Sequence, residues 1–128
     1  MKIVIDYPPN IKDIKSTFNL TGNEIFTYGD TIYNPGAYIL NNDLIRHEEV
    51  HQKQQGTNPQ EWWDKYLLDP KFRLIEEIKA HKVQYQEACK VIKDRNKRNY
   101  YLQDLLTGLC GETYGNMINR QKAIKLIK

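Results

Sequence analysis

Apolar positions along the chain change their spacing twice, and each change marks a change of secondary structure. Met1 to Asp6 alternates enough β-branched residues to predict a short strand, which Pro8-Pro9 ends. From Pro9 to Asn19 the spacing lengthens, and Ile11, Ile14 and Phe18 fall on one face of a short amphipathic helix. Between Glu24 and Leu40 it shortens again. Ile25-Phe26-Thr27-Tyr28, Thr31-Ile32-Tyr33 and Ala37-Tyr38-Ile39-Leu40 read as strands, separated by the turn signals Gly29-Asp30 and Asn34-Pro35-Gly36.

Helical spacing governs everything after Asn41. The first helix has Asn42 as N-cap, Asp43 in its first turn and Gly56 as its stop. Thr57-Asn58-Pro59 forms a loop, and a short helix carrying Trp62, Trp63, Tyr66 and Leu67 follows. Asp69 then caps, and Pro70 opens, a long helix running to about Lys93. Asn99 to Leu109 places Tyr101, Leu102, Leu105, Leu106 and Leu109 at spacings of three and four. After turns at Cys110-Gly111 and Tyr114-Gly115-Asn116, a last basic helix turns Ala123, Ile124 and Ile127 inward. The expected class is α+β, mostly helical, with a small sheet at the N-terminal end. With 128 residues and no repeat or linker, one domain over residues 1–128 is expected.

Composition narrows the function classes. A hydrophobic fraction of 40% and 9 tyrosines argue against a disordered chain. No apolar run approaches the length of a membrane span, and MKIVIDYPPN lacks the long apolar stretch of a secretory signal. Cys89 and Cys110 are too few for a disulfide framework, so they read as buried free thiols in a reducing, cytoplasmic compartment. The charge is unevenly divided. Residues 1–89 hold 10 Lys/Arg against 13 Asp/Glu, whereas residues 90–128 hold 9 against 3. A solvated helical face is the commoner cause of such a basic tail, with nucleic-acid binding as the rival reading.

The five residues His47-Glu48-Glu49-Val50-His51 carry the chemistry, because they form an H-E-x-x-H pattern inside the first capped helix. Composition alone would produce the pattern in about 0.4% of such chains, so chance does not explain it. Imidazoles at i and i+4 project from one helical face, about 40° apart, and can ligate one zinc. Glu48 projects beside them, where a general base must stand to take a proton from water.

Catalytic zinc normally takes three protein ligands and keeps a fourth position open. No further histidine completes the site locally: Gln54 and Thr57 stand where the glycine and histidine of an extended H-E-x-x-H-x-x-G-x-x-H motif would be. The long helix offers Glu76 and Glu77. Its expected core stripe is Leu74, Ile78, His81, Tyr85, Ala88 and Ile92, with Glu77 along the edge and Glu76 pointing away beside Arg73. A carboxylate on a buried stripe needs a partner, which favours Glu77 as the third ligand. His81, one turn later, reads first as a satisfied core histidine, next as a residue supporting the site or donating to a transition state, and last as a direct ligand. Tyr85 and Tyr114 are candidate donors to a developing oxyanion, set against packing roles.

HEEVH followed by Glu77-Ile78-Lys79-Ala80 resembles the gluzincin arrangement of zinc metallopeptidases, in which the Glu of an E-x-x-A segment completes H-E-x-x-H. The strings TYGDTIYNPG, LIRHEEVHQKQQG, YLLDPKFRLIEEIKAHKVQY and LLTGLCGETYGN resemble small single-domain zincin-like proteins of bacteriophages and bacteria. The resemblance implies a minimal gluzincin fold with zinc on His47, His51 and Glu77, Glu48 as base, and a peptide or protein substrate. His81 departs from the pattern, since E-x-x-A is often followed by an acid or tyrosine. An edge at Ala37–Leu40 offers an extended peptide a strand to pair with. The competing expectation is a zinc-stabilised binding module that contacts nucleic acid or an acidic protein through its basic C-terminal third. No exposed stacking aromatics beyond Tyr100 and Tyr101 accompany those charges, so nucleic-acid binding is expected to be weak and non-specific.

Overall fold

Short β-branched runs at the N-terminal end build a three-stranded mixed sheet. The computed structural model describes residues 1–128. In it β1 (Lys2–Val4) lies parallel to β3 (Thr31–Tyr33), and β2 (Phe26–Tyr28) lies antiparallel to β3 on its other side. Ile32, opposite both Ile3 and Thr27, is fully buried at the centre. Gly29 makes the hairpin turn at φ +63°, a conformation open to glycine at little cost. The short helix α1 (Ile11–Thr17) follows β1 and buries Ile14.

Ala37–Leu40, expected as a strand, is irregular, and Ile39 is 91% exposed. The reason is local. Asn34 donates its Nδ2 to the Tyr38 carbonyl at 2.8 Å and accepts from the Tyr38 N–H at 3.3 Å, occupying groups a neighbouring strand would have paired. Ala37 sits at φ +53°, which also breaks an extended run.

Five helices follow. α2 (Asn42–Gln55) starts from Asn41, one residue before the expected cap, and ends at Gly56 with φ +58°. α3 (Pro59–Leu68) is capped by Asn58, whose side chain accepts from the Glu61 N–H. α4 (Pro70–Val91) is capped by Asp69, which accepts from the N–H groups of Lys71 and Phe72. α5 (Arg95–Leu109) begins at the Asp94 cap, earlier than apolar spacing indicated, because its first turn is polar on every face. A 3₁₀ turn (Glu112–Tyr114) leads to α6 (Arg120–Ile127), capped by Asn119. The fold is mostly helical α+β, as the hydrophobic pattern implied. No helix is long and apolar enough to cross a membrane. Both cysteines are free, but they are half-buried rather than buried.

α4 is the axis of the molecule and buries more than one stripe. Leu74 and Tyr85 pack with Leu102, Leu106 and Leu109 of α5 and with Ala123 and Ile127 of α6. Glu77, Ala80 and Gln84, also buried, lie along the neighbouring stripe, and α2 shares with α4 the most extensive interface in the fold. A second core joins Ile14, Phe26, Trp62, Trp63 and Tyr66, tying α1 and the sheet to α3. Tyr85 belongs to the first core, in keeping with the packing role, and takes no part in the histidine cluster, which corrects the alternative of an oxyanion donor.

Arg73 and Glu76, expected to point away from the core stripe, are both buried because α3 covers that face. Trp62 donates its indole N–H to Glu76 Oε1 at 3.0 Å. The Arg73 guanidinium donates to the carbonyls of Tyr66, Leu67 and Thr113, so one cation closes the end of α3 and ties down the 3₁₀ turn. Arg73→Met strands buried carbonyls and is expected to destabilise the fold by roughly 3 kcal/mol. Denaturant unfolding measures this, and a loss below about 1 kcal/mol contradicts the assigned role.

Candidate metal centre

Helical spacing on α2 and α4 brings the sequence-selected ligands together. His47 and His51 project one turn apart from α2, and Glu77 meets them from α4. His51 Nε2 lies 2.8 Å from Glu77 Oε1, His47 Nε2 lies 3.4 Å from Glu77 Oε2, and the two Nε2 atoms are 3.1 Å apart. These three residues form a group able to hold a metal ion. Glu76, the other carboxylate considered, faces Trp62 instead.

Buried lone pairs test whether a cation fits. His47 Nδ1 donates to Gln84 Oε1 at 2.7 Å, and His51 Nδ1 donates to Gln54 Oε1 at 2.8 Å. With both Nδ1 protons committed, neutral rings turn two bare Nε2 lone pairs towards each other and towards a carboxylate. That arrangement repels itself unless a cation or a proton sits between them. Ligands about 2.1 Å from a tetrahedral zinc stand about 3.4 Å from one another, so the observed spacings suit one ion after slight expansion. The donor set of two imidazoles and one carboxylate fits zinc.

The same electrostatics appear in the protonation preferences. Burial alone would drive the His51 imidazolium to lose its proton, but contact with Glu77 outweighs it and raises the ring's pKa to about 9. Burial would likewise raise Glu77, and the two imidazoles overcome it and hold the carboxyl well below the usual range. Tyr66 donates its hydroxyl to Glu77 Oε1 at 3.0 Å, further fixing that carboxylate. Burial and then the Glu77 charge push the Tyr66 phenol well up.

Glu48 is buried, and its Oε2 stands 3.6 Å from His47 Nε2. Burial raises its pKa, partly opposed by the neighbouring imidazoles. The Thr27 hydroxyl, from β2, lies 3.2 Å from Glu48 Oε1 and 3.4 Å from the Glu48 carbonyl, bracing that carboxylate from the sheet side. Gln55 ties the hairpin to α2: its Nε2 donates to the Thr27 carbonyl and its Oε1 accepts from the Gly29 N–H. Trp63 adds its indole N–H to the same Thr27 carbonyl. The amide of Gln55 thus pairs with β2 as a neighbouring strand would.

His81 is not among the convergent donors. Its Nδ1 lies 2.7 Å from the Glu77 backbone carbonyl and donates to it. Burial leads the effects that lower its pKa to about 4, so the ring is neutral and its free Nε2 accepts hydrogen bonds. The expectation that it donates to a transition state is therefore corrected. Tyr114 lines the same cavity from the 3₁₀ turn, where burial and then the Glu77 charge raise its phenol well above the usual range. The cavity encloses about 350 Å³ between apolar walls that include Ile14, Phe18, Leu20 and Trp63, and the three ligands and Glu48 all reach it.

Thr27, Gln54, Gln84 and Tyr66 are the residues that sequence reading missed. Gln54 lies three residues after His51 and Gln84 three after His81, so the helical faces carrying the histidines held that signal. Thr27 approaches from a strand 21 residues away in the chain, and no local pattern announces it.

The geometry gives a definite expectation: one divalent cation per chain, abolished by Glu77→Ala and retained by Glu76→Ala. Metal analysis after dialysis against zinc distinguishes the two variants. No protein-family model, curated protein or solved structure matches the chain.

Proposed function

We propose that this chain is a zinc-dependent peptidase. The observation that carries the reading is the pairing of a three-ligand group with a buried carboxylate, Glu48, beside it at the wall of a cavity. Three ligands leave a coordination position free, whereas a purely structural zinc is usually closed by four. A structural site also has no use for a base at Glu48.

A divalent metal on His47, His51 and Glu77 would supply Lewis acidity, which acidifies water and polarises a carbonyl. Glu48 does the proton work. Thr27 holds one side of its carboxylate, leaving Oε2, the oxygen next to His47, to accept a proton from the attacking water. A carboxylate so placed both accepts the proton and returns it to the leaving amine. Tyr66 keeps Glu77 oriented towards the imidazoles. The apolar walls exclude water and suit an apolar side chain of an extended peptide.

Where such a peptide lies is constrained by β2. The Thr27 carbonyl and Gly29 N–H are already taken by Gln55 and Trp63, so strand pairing at those positions is blocked. Glu24 and Ile25, just before β2, line the cavity and remain in reach of a substrate.

The alternative of a binding module acting through the basic C-terminal third draws less support from how those side chains are used. Arg98 donates to the carbonyls of Cys89 and Ile92, and Arg120 to Gln103 and Thr107, so both serve internal contacts. Any nucleic-acid binding is expected to be non-specific and to collapse between low and physiological salt, as titration of labelled DNA and RNA would measure.

Zinc-loaded protein is expected to cleave members of a peptide library. Glu48→Gln is expected to keep zinc and fold while losing at least about a hundredfold in turnover. Absence of cleavage by the parent, or unchanged turnover in the variant, overturns the reading.

A further inference from the structure

We propose that Asp43, Tyr101 and Gln84 form a positioning relay that holds His47 in the tautomer whose Nε2 is free to bind metal. The proposal rests on the metal-binding reading above and extends it to a helix, α5, that does not line the cavity.

The argument is a count of protons along one line of hydrogen bonds. Tyr101 has a single hydroxyl proton, and its oxygen lies 2.5 Å from Asp43 Oδ2. A carboxylate only accepts, so the proton points to Asp43. The Tyr101 oxygen must then accept on its other side, and it does so from Gln84 Nε2 at 2.9 Å. That choice turns Gln84 Oε1 towards His47, 2.7 Å from Nδ1. Nδ1 must therefore carry the proton, and the neutral ring presents a bare Nε2 to His51 and Glu77.

Reversing the amide is penalised at the Tyr101 end and changes the tautomer at the His47 end. Gln84 Oε1 would face a Tyr101 oxygen whose proton is committed to Asp43, and Gln84 N–H would face His47 Nδ1. The ring would then move its proton to Nε2, where it blocks ligation. Asp43 and His47 lie one turn apart on α2, Gln84 comes from α4 and Tyr101 from α5, so three helices set one proton's position. His51 is held differently. Its partner Gln54 is oriented by the backbone carbonyl of Glu76, which no substitution removes. Only the His47 arm depends on a side chain at its far end, and that makes it testable.

Tyr101→Phe removes both the acceptor for Gln84 and the link to Asp43. Gln84→Glu replaces the amide by a group that accepts at either oxygen, so His47 Nδ1–H meets an acceptor whichever way it turns. Zinc affinity is measured by competition with a chromophoric chelator. The His47 tautomer is read from ring-nitrogen NMR shifts of the metal-free protein at a pH where the ring is neutral. Tyr101→Phe is expected to weaken zinc binding about 10- to 100-fold and to shift His47 from the Nδ1–H form to a mixture. In the Gln84→Glu background the same substitution is expected to cost less than about threefold. Unchanged affinity and tautomer in Tyr101→Phe overturn the relay, as does an equal loss in both backgrounds, which marks a merely structural role. If the parent binds no zinc, the metal reading fails by itself. The NMR shifts then decide the relay alone: an Nδ1–H form in the parent that is lost in Tyr101→Phe supports it, and any other pattern overturns it.

Discussion

A carboxylate buried between two imidazoles sets the terms for the rest of this fold. Glu77 lies in the interface of α2 and α4, and an unpaired charge there would cost several kcal/mol. His47 and His51 compensate it, and that compensation fixes the register of the two helices: a shift of one residue on either would turn the imidazoles or the carboxylate out of the contact. The arrangement holds only while a positive charge, metal or proton, is available to it.

Around that centre, groups able to make two hydrogen bonds are used to point other groups. Gln54 and Gln84 each receive an Nδ1–H on one side and donate to an anchored oxygen on the other. Gln55 does the same for the sheet, holding β2 so that Thr27 reaches Glu48. Arg73 locks α3, and with it the wall of Trp62, Trp63 and Tyr66, to the 3₁₀ turn that bears Tyr114. The outcome is a cluster in which His47, His51 and Glu48 are each oriented by residues outside the motif.

The distribution of burial on α4 follows from its central place. A surface helix shows one apolar stripe, but this one meets α5 and α6 on one side, α2 on another and α3 near its start. Its polar buried residues, Arg73, Glu76, Glu77 and Gln84, sit on the faces turned to α2 and α3 and carry hydrogen bonds there, while Leu74 and Tyr85 fill the apolar core.

Local chemistry determined a large part of this protein. The Asp69-Pro70 start, the Gly56 stop and the spacing of HEEVH define helices by capping, backbone freedom and periodicity, all of which act over a few residues. The convergence of Glu77 with both histidines was legible for the same reason, since a carboxylate at the edge of a buried stripe needs a partner. Tertiary contact decided the rest. Asn34 diverted Ala37–Leu40 from a strand, α3 covered the Arg73 and Glu76 face of α4, Thr27 reached Glu48, and Tyr101 reached Asp43 and Gln84. Hydrogen bonds between residues distant in sequence depend on how elements pack, and periodicity within one element carries no record of which neighbour will supply the partner.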